Sequence, residues 1–346
     1  MTDNVELVTV EAGGQNYGGW KSMSVKASIR EAARTFTLST TERAILFATE
    51  WAFPPGTPIK ITTNEDLLVD GYVNSYAPSF DANSHAITIE GRSAAQDLCD
   101  CAAVSDTGYW ENKTVLDIAK DLDKFGAGVT SDVPLNKIPM FNLYQGETAF
   151  EAIERAMRQE GVTGLGEPRG MKITNAKAAK RHAGGLREGV NILRGNATLT
   201  DNQRHSEVTV KGQRREGTED DDLHIEEKST DGGVKRYRPK ILVAEGDTDK
   251  GRARERAKHE TNRGKGLSVK ATITTQGFRD DGGSIWLPNK LVYVWSPTLK
   301  IDGDLLIENV TYDQDGDGGS LATLSLVNAA AYQGDGGTNS SSGEWQ

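Results

Sequence analysis

The acidic stretch at residues 313–318, Asp-Gln-Asp-Gly-Asp-Gly, comes closest in this sequence to a metal site. It begins like an EF-hand calcium loop, in which carboxylates alternate along twelve residues. The twelfth position, which must supply a bidentate carboxylate, is Leu324. Alternating strand residues rather than helices flank the stretch, and Asp-Gly pairs between such strands are the ordinary hairpin signal. We therefore predict a turn and no metal site.

Candidate nucleophiles and zinc ligands are scattered along the chain. The two cysteines, Cys99 and Cys101, have no second pair to complete a tetrahedral zinc site, and we interpret them as small buried side chains in a reducing compartment. The sequence has no GxSxG elbow, no GxxxxGKS/T loop and no GxGxxG turn after a strand. The histidines form neither an HxxxH nor an HExxH pattern, so hydrolytic zinc is not indicated. They are His85, His182, His205, His224 and His259.

Two further groups of charged residues invite a functional interpretation. Acids such as Glu50 and Asp70 would in principle serve a glycosidase, but acids are spread over the whole sequence. The stretch 249–265 is rich in Lys and Arg, yet Glu255 and Glu260 interrupt it and no aromatic residue accompanies it. We interpret it as a solvated helix or as a face that meets an acidic neighbouring subunit. No catalytic, cofactor-binding or metal-binding residue is predicted, and the protein is not expected to be an enzyme.

Size and charge restrict the class of protein. The chain has 346 residues, more than one ordinary domain, and a formal net charge of −10. This charge disfavours general coating of nucleic acid, because phosphate binding needs a basic surface. No basic segment followed by an apolar one opens the sequence, and no apolar run approaches about 20 residues. We expect a protein made in the cytoplasm, without stable membrane association.

The elements that must position these residues include two similar β patterns, at 53–94 and 285–326. Each opens on a proline turn, continues through an alternating strand and an acid-Leu-Leu-aliphatic-acid segment, crosses an Asp/Asn/Gly loop and returns on a second alternating strand. Either a β unit is duplicated, or two antiparallel meanders resemble each other by chance. The matching segments are 54–56 with 288–289, 59–61 with 291–294, 66–70 with 304–308 and 87–89 with 324–326, preceded by β runs at 36–40 and 269–274.

Helices are predicted mainly between these two patterns. Thr114 and Thr148 each precede an acid three residues later and then an apolar stripe, which is a helix start signal. Gly126 and Gly161 are the predicted ends of these two helices. Three further helical segments are predicted at 41–51, 93–103 and 249–265.

The predicted fold class is α+β, mainly β. Within the second half, 206–212 alternates as a strand, and the acid- and glycine-rich stretch 216–233 is predicted to be a solvated or disordered loop. The predicted domains are a first β unit at 1–94, an α/β insertion at 95–195, a second β unit at 196–332 that contains the charged helix 249–265, and a flexible Gly/Ser-rich tail at 333–346.

A series of short motifs runs in order along nearly the whole chain. They lie at 18–20 (GGW), 97–104 (DLCDCAAV), 110–114 (WENKT), 118–122 (IAKDL), 147–153 (ETAFEAI), 155–156 (RA), 209–212 (TVKG), 236–239 (RYRP), 286–292 (WLPNKLV) and 313–316 (DQDG). In these motifs the sequence resembles the baseplate hub proteins of Mu-like contractile-tailed phages. That family is related in architecture to the hub of T4-like phages and to the N-terminal part of type VI secretion spike proteins. The sequence departs from the family at 216–233 and in the tail.

The resemblance implies a structural protein without cofactors. Each subunit of a homotrimer would supply two tube-type antiparallel β-barrels, so that three chains form a pseudo-six-fold ring. The ring would join the hexameric tail tube protein to the trimeric tail spike protein in the virion tail baseplate and contact other baseplate proteins. DNA would pass through its channel during ejection without specific binding.

Two other functions stay open at this point. A type VI-like secretion spike subunit would share the fold but carry its own needle domain, and no long β-helix repeat follows residue 331. A tail-associated cell-wall hydrolase would need a lysozyme-like pair of acids in a cleft. The aliphatic segments 67–69 and 305–307 are candidates either for a barrel core or for a seam between subunits, and alternation does not distinguish these.

Overall fold

Strands dominate the structure, a computed structural model that describes residues 6–40, 53–64, 66–82, 85–175, 180–213, 224–247 and 250–332. These residues contain 21 strands and four α-helices, which confirms the α+β, mainly β class. Within the same residues, no helix is both long and apolar enough to cross a membrane. The helix predicted at 41–51 and the tail predicted at 333–346 lie outside the described residues.

The first β half contains seven antiparallel strands. They are β1 (Val8–Ala12), β2 (Gln15–Tyr17), β3 (Ser22–Ser28), β4 (Thr35–Thr40), β5 (Pro58–Thr63), β6 (Asp66–Phe80) and β7 (His85–Ser93). Their order in the sheet is β3-β4-β7-β6-β5-β1-β2. Because strand side chains alternate between faces, every second residue of β4 enters the core, where Phe36 and Leu38 are buried.

A smaller α/β region follows the first half and has its own core. Its elements are α1 (Gln96–Asp100), β8 (Tyr109–Thr114), α2 (Val115–Leu122), β9 (Val129–Ser131), β10 (Lys137–Asn142), α3 (Ala149–Glu160), β11 (Thr163–Gly166) and β12 (Met171–Thr174). The two predicted helix starts are confirmed, because Thr114 and Thr148 each close a capping box. Gly161, at φ 65°, ends α3 as predicted. Ile118 and Ile153 are fully buried between the helices and the strands.

The second β half surrounds an inserted layer. Its elements in chain order are β13 (Leu186–Arg187), β14 (Ile192–Leu199), β15 (Glu207–Gln213), β16 (His224–Thr230), β17 (Pro239–Asp247), α4 (Lys250–Gly266), β18 (Val269–Gln276), β19 (Leu291–Ser296), β20 (Ile301–Asp315), β21 (Gly319–Val327) and a 3-10 turn at Ala329–Ala331. The strands of this half pair in the order β14-β18-β21-β20-β19-β13. β13 and the start of β14 belong to this sheet although they precede residue 196.

The inserted layer corrects one prediction. Residues 216–233 were expected to form a solvated or disordered loop, but 224–230 is strand β16, which pairs antiparallel with β15. The local pattern did not reveal the strand because Ile225 is its only buried residue and every other position carries a polar or charged side chain. Asp231, just after the strand, is buried and accepts two hydrogen bonds from Arg204, at 2.9 and 3.0 Å. Residues 214–223 lie outside the described part of the chain.

The two halves are joined edge to edge. The second part of β20 pairs antiparallel with β3, from Asn309 opposite Ser28 to Asp315 opposite Ser22. The result is one continuous sheet of 13 strands, and among the described residues no strand pair closes either half on itself. The main core follows this sheet from β1 of the first half to β21 of the second.

Candidate assembly site

The two halves have the same order of strand pairing. In the first half it runs β3-β4-β7-β6-β5-β1, and in the second β14-β18-β21-β20-β19-β13. The first five strands of each series pair antiparallel, whereas the sixth differs in direction, because β1 is antiparallel to β5 and β13 is parallel to β19. A row of directly opposed residues crosses three strands at the same place in each half. The rows are Leu38, Ile89 and Tyr76 in the first half and Ile273, Leu324 and Val310 in the second.

A bulge confirms that these rows correspond. In the first half the β6–β7 register shifts between Val73 and Ser75. In the second half the β20–β21 register shifts between Ile307 and Asn309. When Ile89 is matched to Leu324, the two bulges fall at the same position. Bulges bend and twist a strand locally, so a shared bulge shows that the strands bend at equivalent points.

The proline turns ahead of β5 and β19 are equivalent as well. The Gly56 N–H donates to the Val73 carbonyl over 2.7 Å, and the Asn289 N–H donates to the Ile307 carbonyl over 2.9 Å. Both turn residues have positive φ, 90° at Gly56 and 59° at Asn289. Glycine and asparagine are residues that tolerate this conformation. The predicted match of 54–56 with 288–289 is therefore confirmed.

The predicted match inside the long strands was wrong by four residues. The acid-Leu-Leu-aliphatic-acid segments aligned Asp70 with Glu308. The pairing registers instead make Asp70 the equivalent of Asp304. A shift of the alignment by an even number of residues keeps every side chain on the same face of the sheet. The alternation of apolar and polar residues therefore does not reveal this error. The segments 67–69 and 305–307 contribute to the core, although Leu67 remains partly exposed.

The seam between β20 and β3 carries side-chain contacts as well as the strand ladder. Ser24 Oγ donates to Asp313 Oδ1 over 2.7 Å, and these two residues are directly opposite each other. Arg30 pairs with Glu308 over 2.6 Å at one end of the seam. Val25 and Tyr312, also directly opposed, are buried beneath it. The seam is thus an interface between two β units, built inside one chain.

A buried ion pair ties the halves together beside the seam. Arg279 Nε lies 3.0 Å from Glu6 Oε1, and Arg279 Nη1 lies 2.6 Å from Asp66 Oδ2. Glu6 is buried and also accepts hydrogen bonds from Thr63 and Asn64. Burial opposes the charge of Arg279, but Asp66 and Glu6 raise the pKa of the guanidinium above its ordinary value.

A buried histidine–carboxylate pair in the second half was missed by sequence reasoning, because its members are 98 residues apart. His182 Nδ1 lies 2.7 Å from Asp280 Oδ2, and His182 Nε2 accepts the Leu287 N–H over 3.2 Å. Because Nε2 is the acceptor, Nδ1 carries the proton and the ring is neutral. Burial lowers the pKa of His182. With Nε2 engaged by the backbone, this pair braces a loop and is not available as a general base.

The other candidates from the sequence lie apart from this pair. Residues 313–318 form the β20–β21 hairpin turn, as predicted, with the Asp315 carboxylate accepting the Asp317 N–H over 3.0 Å. Cys99 and Cys101 are free thiols, each half-buried rather than fully buried, and burial raises the pKa of Cys99 to about 11. The remaining histidines and acids are not brought together, and the described residues contain no group of three His, Cys, Asp or Glu able to hold a metal ion. Glu50 lies outside the described residues.

The predicted charged helix forms as α4 and meets carboxylates of its own chain. Ala253 and Ala257 are buried against the inserted sheet. Arg254 Nε lies 3.1 Å from Glu227 of β16, and Lys240 of β17 lies 2.6 Å from Glu260 of the helix. The helix is therefore part of the inserted layer, with its charges partly neutralised there.

Family models match consecutive parts of the chain. They are "Mu phage baseplate assembly protein GpP-like, N-terminal" over residues 7–93, "Baseplate hub protein gp44-like, second domain" over 95–174, "Tail protein NMB1110-like, third domain" over 204–259, and "Mu phage baseplate assembly protein GpP, fourth domain" over 249–335.

Individual proteins match over most of their length. The baseplate hub protein gp44 of Escherichia phage Mu is 32% identical over 326 residues, which covers 89% of this chain and 85% of that protein. The crystal structure of the 43 kDa tail protein of prophage MuSo2 from Shewanella oneidensis has a TM-score of 0.83 at 28% identity, covering 94% of this chain and 99% of that one. The tail protein from Neisseria meningitidis MC58 shares the fold, with a TM-score of 0.78 at 20% identity over 95% of this chain and 98% of that one.

Proposed function

Because this chain belongs to the family of the Mu baseplate hub protein gp44 and is a structural protein of the phage tail baseplate, we propose that it acts as a homotrimeric adaptor. In this proposal the trimer joins the hexameric tail tube to the trimeric spike. The observation that carries the proposal is the duplicated order of strand pairing, with its matched bulges, in the two β halves.

The physical reason is symmetry matching. A trimer whose subunits each hold two equivalent β units displays six similar units around its axis, so one face fits a six-fold tube while the other keeps true three-fold symmetry. The seam between β20 and β3 supports this, because it already sets two such units side by side within one chain.

The domain arrangement follows from the same reasoning. We propose a first tube-type unit at 1–94, the α/β insertion at 95–195 and the second tube-type unit at 196–332, with β13 and the start of β14 joining the second unit from upstream. The three-stranded layer with α4 is an insertion between β14 and β18 of the second unit. In the first unit the equivalent connection, between β3 and β4, is the short stretch 29–34.

The proposed role needs binding surfaces and a channel rather than catalysis. DNA would pass along the axis without being held, and the formal net charge of −10 disfavours tight binding of a polyanion. The His182–Asp280 pair has a bracing role that fits a structural protein. We therefore propose that the chain has no enzyme activity and that its partners are the tube, the spike and other baseplate proteins.

The test is to measure the mass of the purified chain in solution and to image the particles along their symmetry axis. We expect three times the chain mass of 37.5 kDa and a ring of six similar densities around a central opening. A stable mass other than a trimer, or a ring in which the two halves lie at unequal distances from the axis, contradicts the adaptor. Clearing of peptidoglycan that depends on a single carboxylate would instead support the hydrolase alternative.

A further inference from the structure

Of the strands that end the equivalent series β3-β4-β7-β6 and β14-β18-β21-β20, two have an edge without a second strand partner in the described residues. Residues 77–80 of β6 pair only with β7, because β5 pairs with the earlier part of β6, up to Tyr72. β14 pairs only with β18. Unpaired edges expose backbone N–H and C=O groups, so each of these edges is able to accept another strand.

The chain itself shows what such an edge binds. β20 is the equivalent of β6, and its second part pairs antiparallel with β3. β14 is the equivalent of β3, because β14 pairs with β18 as β3 pairs with the equivalent strand β4. The seam inside the chain therefore joins a β6-type edge to a β3-type edge. One unpaired edge of each type remains.

We propose that residues 77–80 of one chain pair antiparallel with β14 of a second copy, in the register of the internal seam. Transferring that register through the matched rows places Ser79 opposite Asn196, as Asp313 lies opposite Ser24 within the chain. The full set of pairs is Ala77 with Thr198, Pro78 with Ala197, Ser79 with Asn196 and Phe80 with Gly195. This inference rests on the proposed function in one respect, which is the number of chains in the ring.

The exposure of the two edges fits this pairing. In β3, which is covered on both edges, Met23 and Val25 are buried. Their equivalents in β14, Gly195 and Ala197, are exposed and half-buried. Phe80 is 82% exposed, an unusual state for a large aromatic residue. In the proposed register Phe80 lies opposite Gly195, where Leu299 already comes within 3.1 Å of the position that a Cβ atom would take, so Phe80 would be covered by packing against Leu299.

One feature of the edge weakens the proposed ladder. Pro78 has no N–H, so this ladder contains fewer possible hydrogen bonds than the internal seam. Proline on an exposed edge also discourages pairing with unrelated strands. The expected seam is therefore specific but weaker than the internal one, and its stability depends on closure of the ring.

The direction of the pairing allows the copies to close into a ring. An edge of the first half binds an edge of the second half of the next copy, which is a head-to-tail contact. Internal and proposed seams then alternate around the axis, each joining a β6-type edge to a β3-type edge. With equal seams, every unit has the same relation to both of its neighbours.

Disulfide trapping tests the register directly. In a background in which Cys99 and Cys101 are replaced by alanine, the variant S79C/N196C is oxidised and separated on a non-reducing denaturing gel. Directly opposed residues of antiparallel strands lie close enough for a disulfide. We expect a covalent trimer. A mixture of the two single variants, S79C and N196C, is expected to stop at a linked pair of chains, since each chain then carries only one reactive edge.

Matched controls come from the same chain. The variant S24C/D313C places cysteines at the equivalent positions of the internal seam. It is expected to form a disulfide within one chain and to run as a single chain on the non-reducing gel. The variant S79C/A197C moves one cysteine by a single residue, to the opposite face of β14, and is expected not to cross-link.

The mass in solution, measured on the background protein before oxidation, separates the two proposals. A trimer that does not cross-link through S79C/N196C overturns the seam and leaves the trimeric adaptor intact. A monomer without cross-links overturns both. Cross-links that extend beyond three chains support the head-to-tail seam and overturn the trimer. Cross-linking by S79C/A197C that equals that of S79C/N196C overturns the register.

Discussion

Arg279 Nε lies 3.0 Å from Glu6 Oε1, although 273 positions separate the two residues in the chain. Glu6 precedes the first strand of the first half, and Arg279 follows β18 of the second. This contact and the β20–β3 seam hold the two β units in one fixed relation. An adaptor that presents two equivalent units around one axis requires such a fixed relation.

The first prediction concerns this ion pair. Replacing Arg279 with methionine leaves the buried Glu6 carboxylate without its charged partner, so we expect the free energy of unfolding to fall by about 3 kcal/mol. Chemical denaturation of the purified protein measures it. The control is Asp66→Asn, which removes the exposed partner of the same guanidinium and is expected to cost about 1 kcal/mol or less. Equal losses in the two variants would show that burial of Glu6 is not what makes the pair important.

The second prediction concerns close packing between β6 and β7. A Cβ atom on Gly91 would lie 2.1 Å from the Tyr72 carbonyl oxygen and 2.5 Å from the Phe36 ring. Gly91→Ala is therefore expected to destabilise the first half by about 1–3 kcal/mol, because the backbone must shift. Gly18→Ala is the control, since its Cβ meets nothing within 4 Å. Thermal unfolding of the two variants side by side checks the difference. An unfolding temperature that Gly91→Ala leaves unchanged would contradict the close packing at this position.

The third prediction concerns pH. Burial lowers the pKa of His182 from its ordinary value of 6.5, so the unfolded chain binds this proton more readily than the folded one. This contribution to stability is therefore complete above pH 6.5 and is lost as the pH falls below it. Burial also disfavours the charge of Asp280, but hydrogen bonds from His182, Ser284 and Ala183 hold its pKa below the ordinary 3.8, so its contribution is lost at still lower pH.

Unfolding temperatures measured between about pH 7 and pH 5 check this sign. We expect the temperature to fall on acidification in the parent protein and to fall less steeply in His182→Gln. His224, exposed on β16, provides the matched replacement His224→Gln, which is expected to keep the parent slope. A slope that His182→Gln leaves unchanged would mean that another group controls the acid response.

The fourth prediction concerns the contact between the first β half and the α/β region. Arg34 is buried, and its Nε and Nη1 donate to the carbonyls of Gly166 and Leu68 over 3.1 and 3.0 Å. Lysine carries the same charge but lacks the forked donors, so Arg34→Lys is expected to cost about 1–3 kcal/mol. Hydrogen exchange should become faster in β11 and β6 together. The exposed Arg169, which pairs with Asp70, supplies the control Arg169→Lys, with little expected change.

Several local features were readable from the sequence because their signals are local. The helix starts at Thr114 and Thr148 depend on a side chain and a backbone N–H three residues away, and both formed as predicted. The proline turns ahead of β5 and β19 were matched correctly, since they depend on the conformations available to a few neighbouring residues. Strand β16 was missed because its exposed face carries charges whose partners, such as Lys211 and Arg254, lie elsewhere in the chain.

The sequence alone determined the mainly β class, the α/β region between two β patterns, and the family, since each rests on residue types and short spacings. Only the tertiary structure decided the register of the long strands, because a two-residue repeat looks the same after any even shift. It also decided which distant residues meet, as His182 meets Asp280 and Glu6 meets Arg279. Which strand edges are already paired within the chain and which remain open is likewise a property of the whole sheet, and no local pattern encodes it.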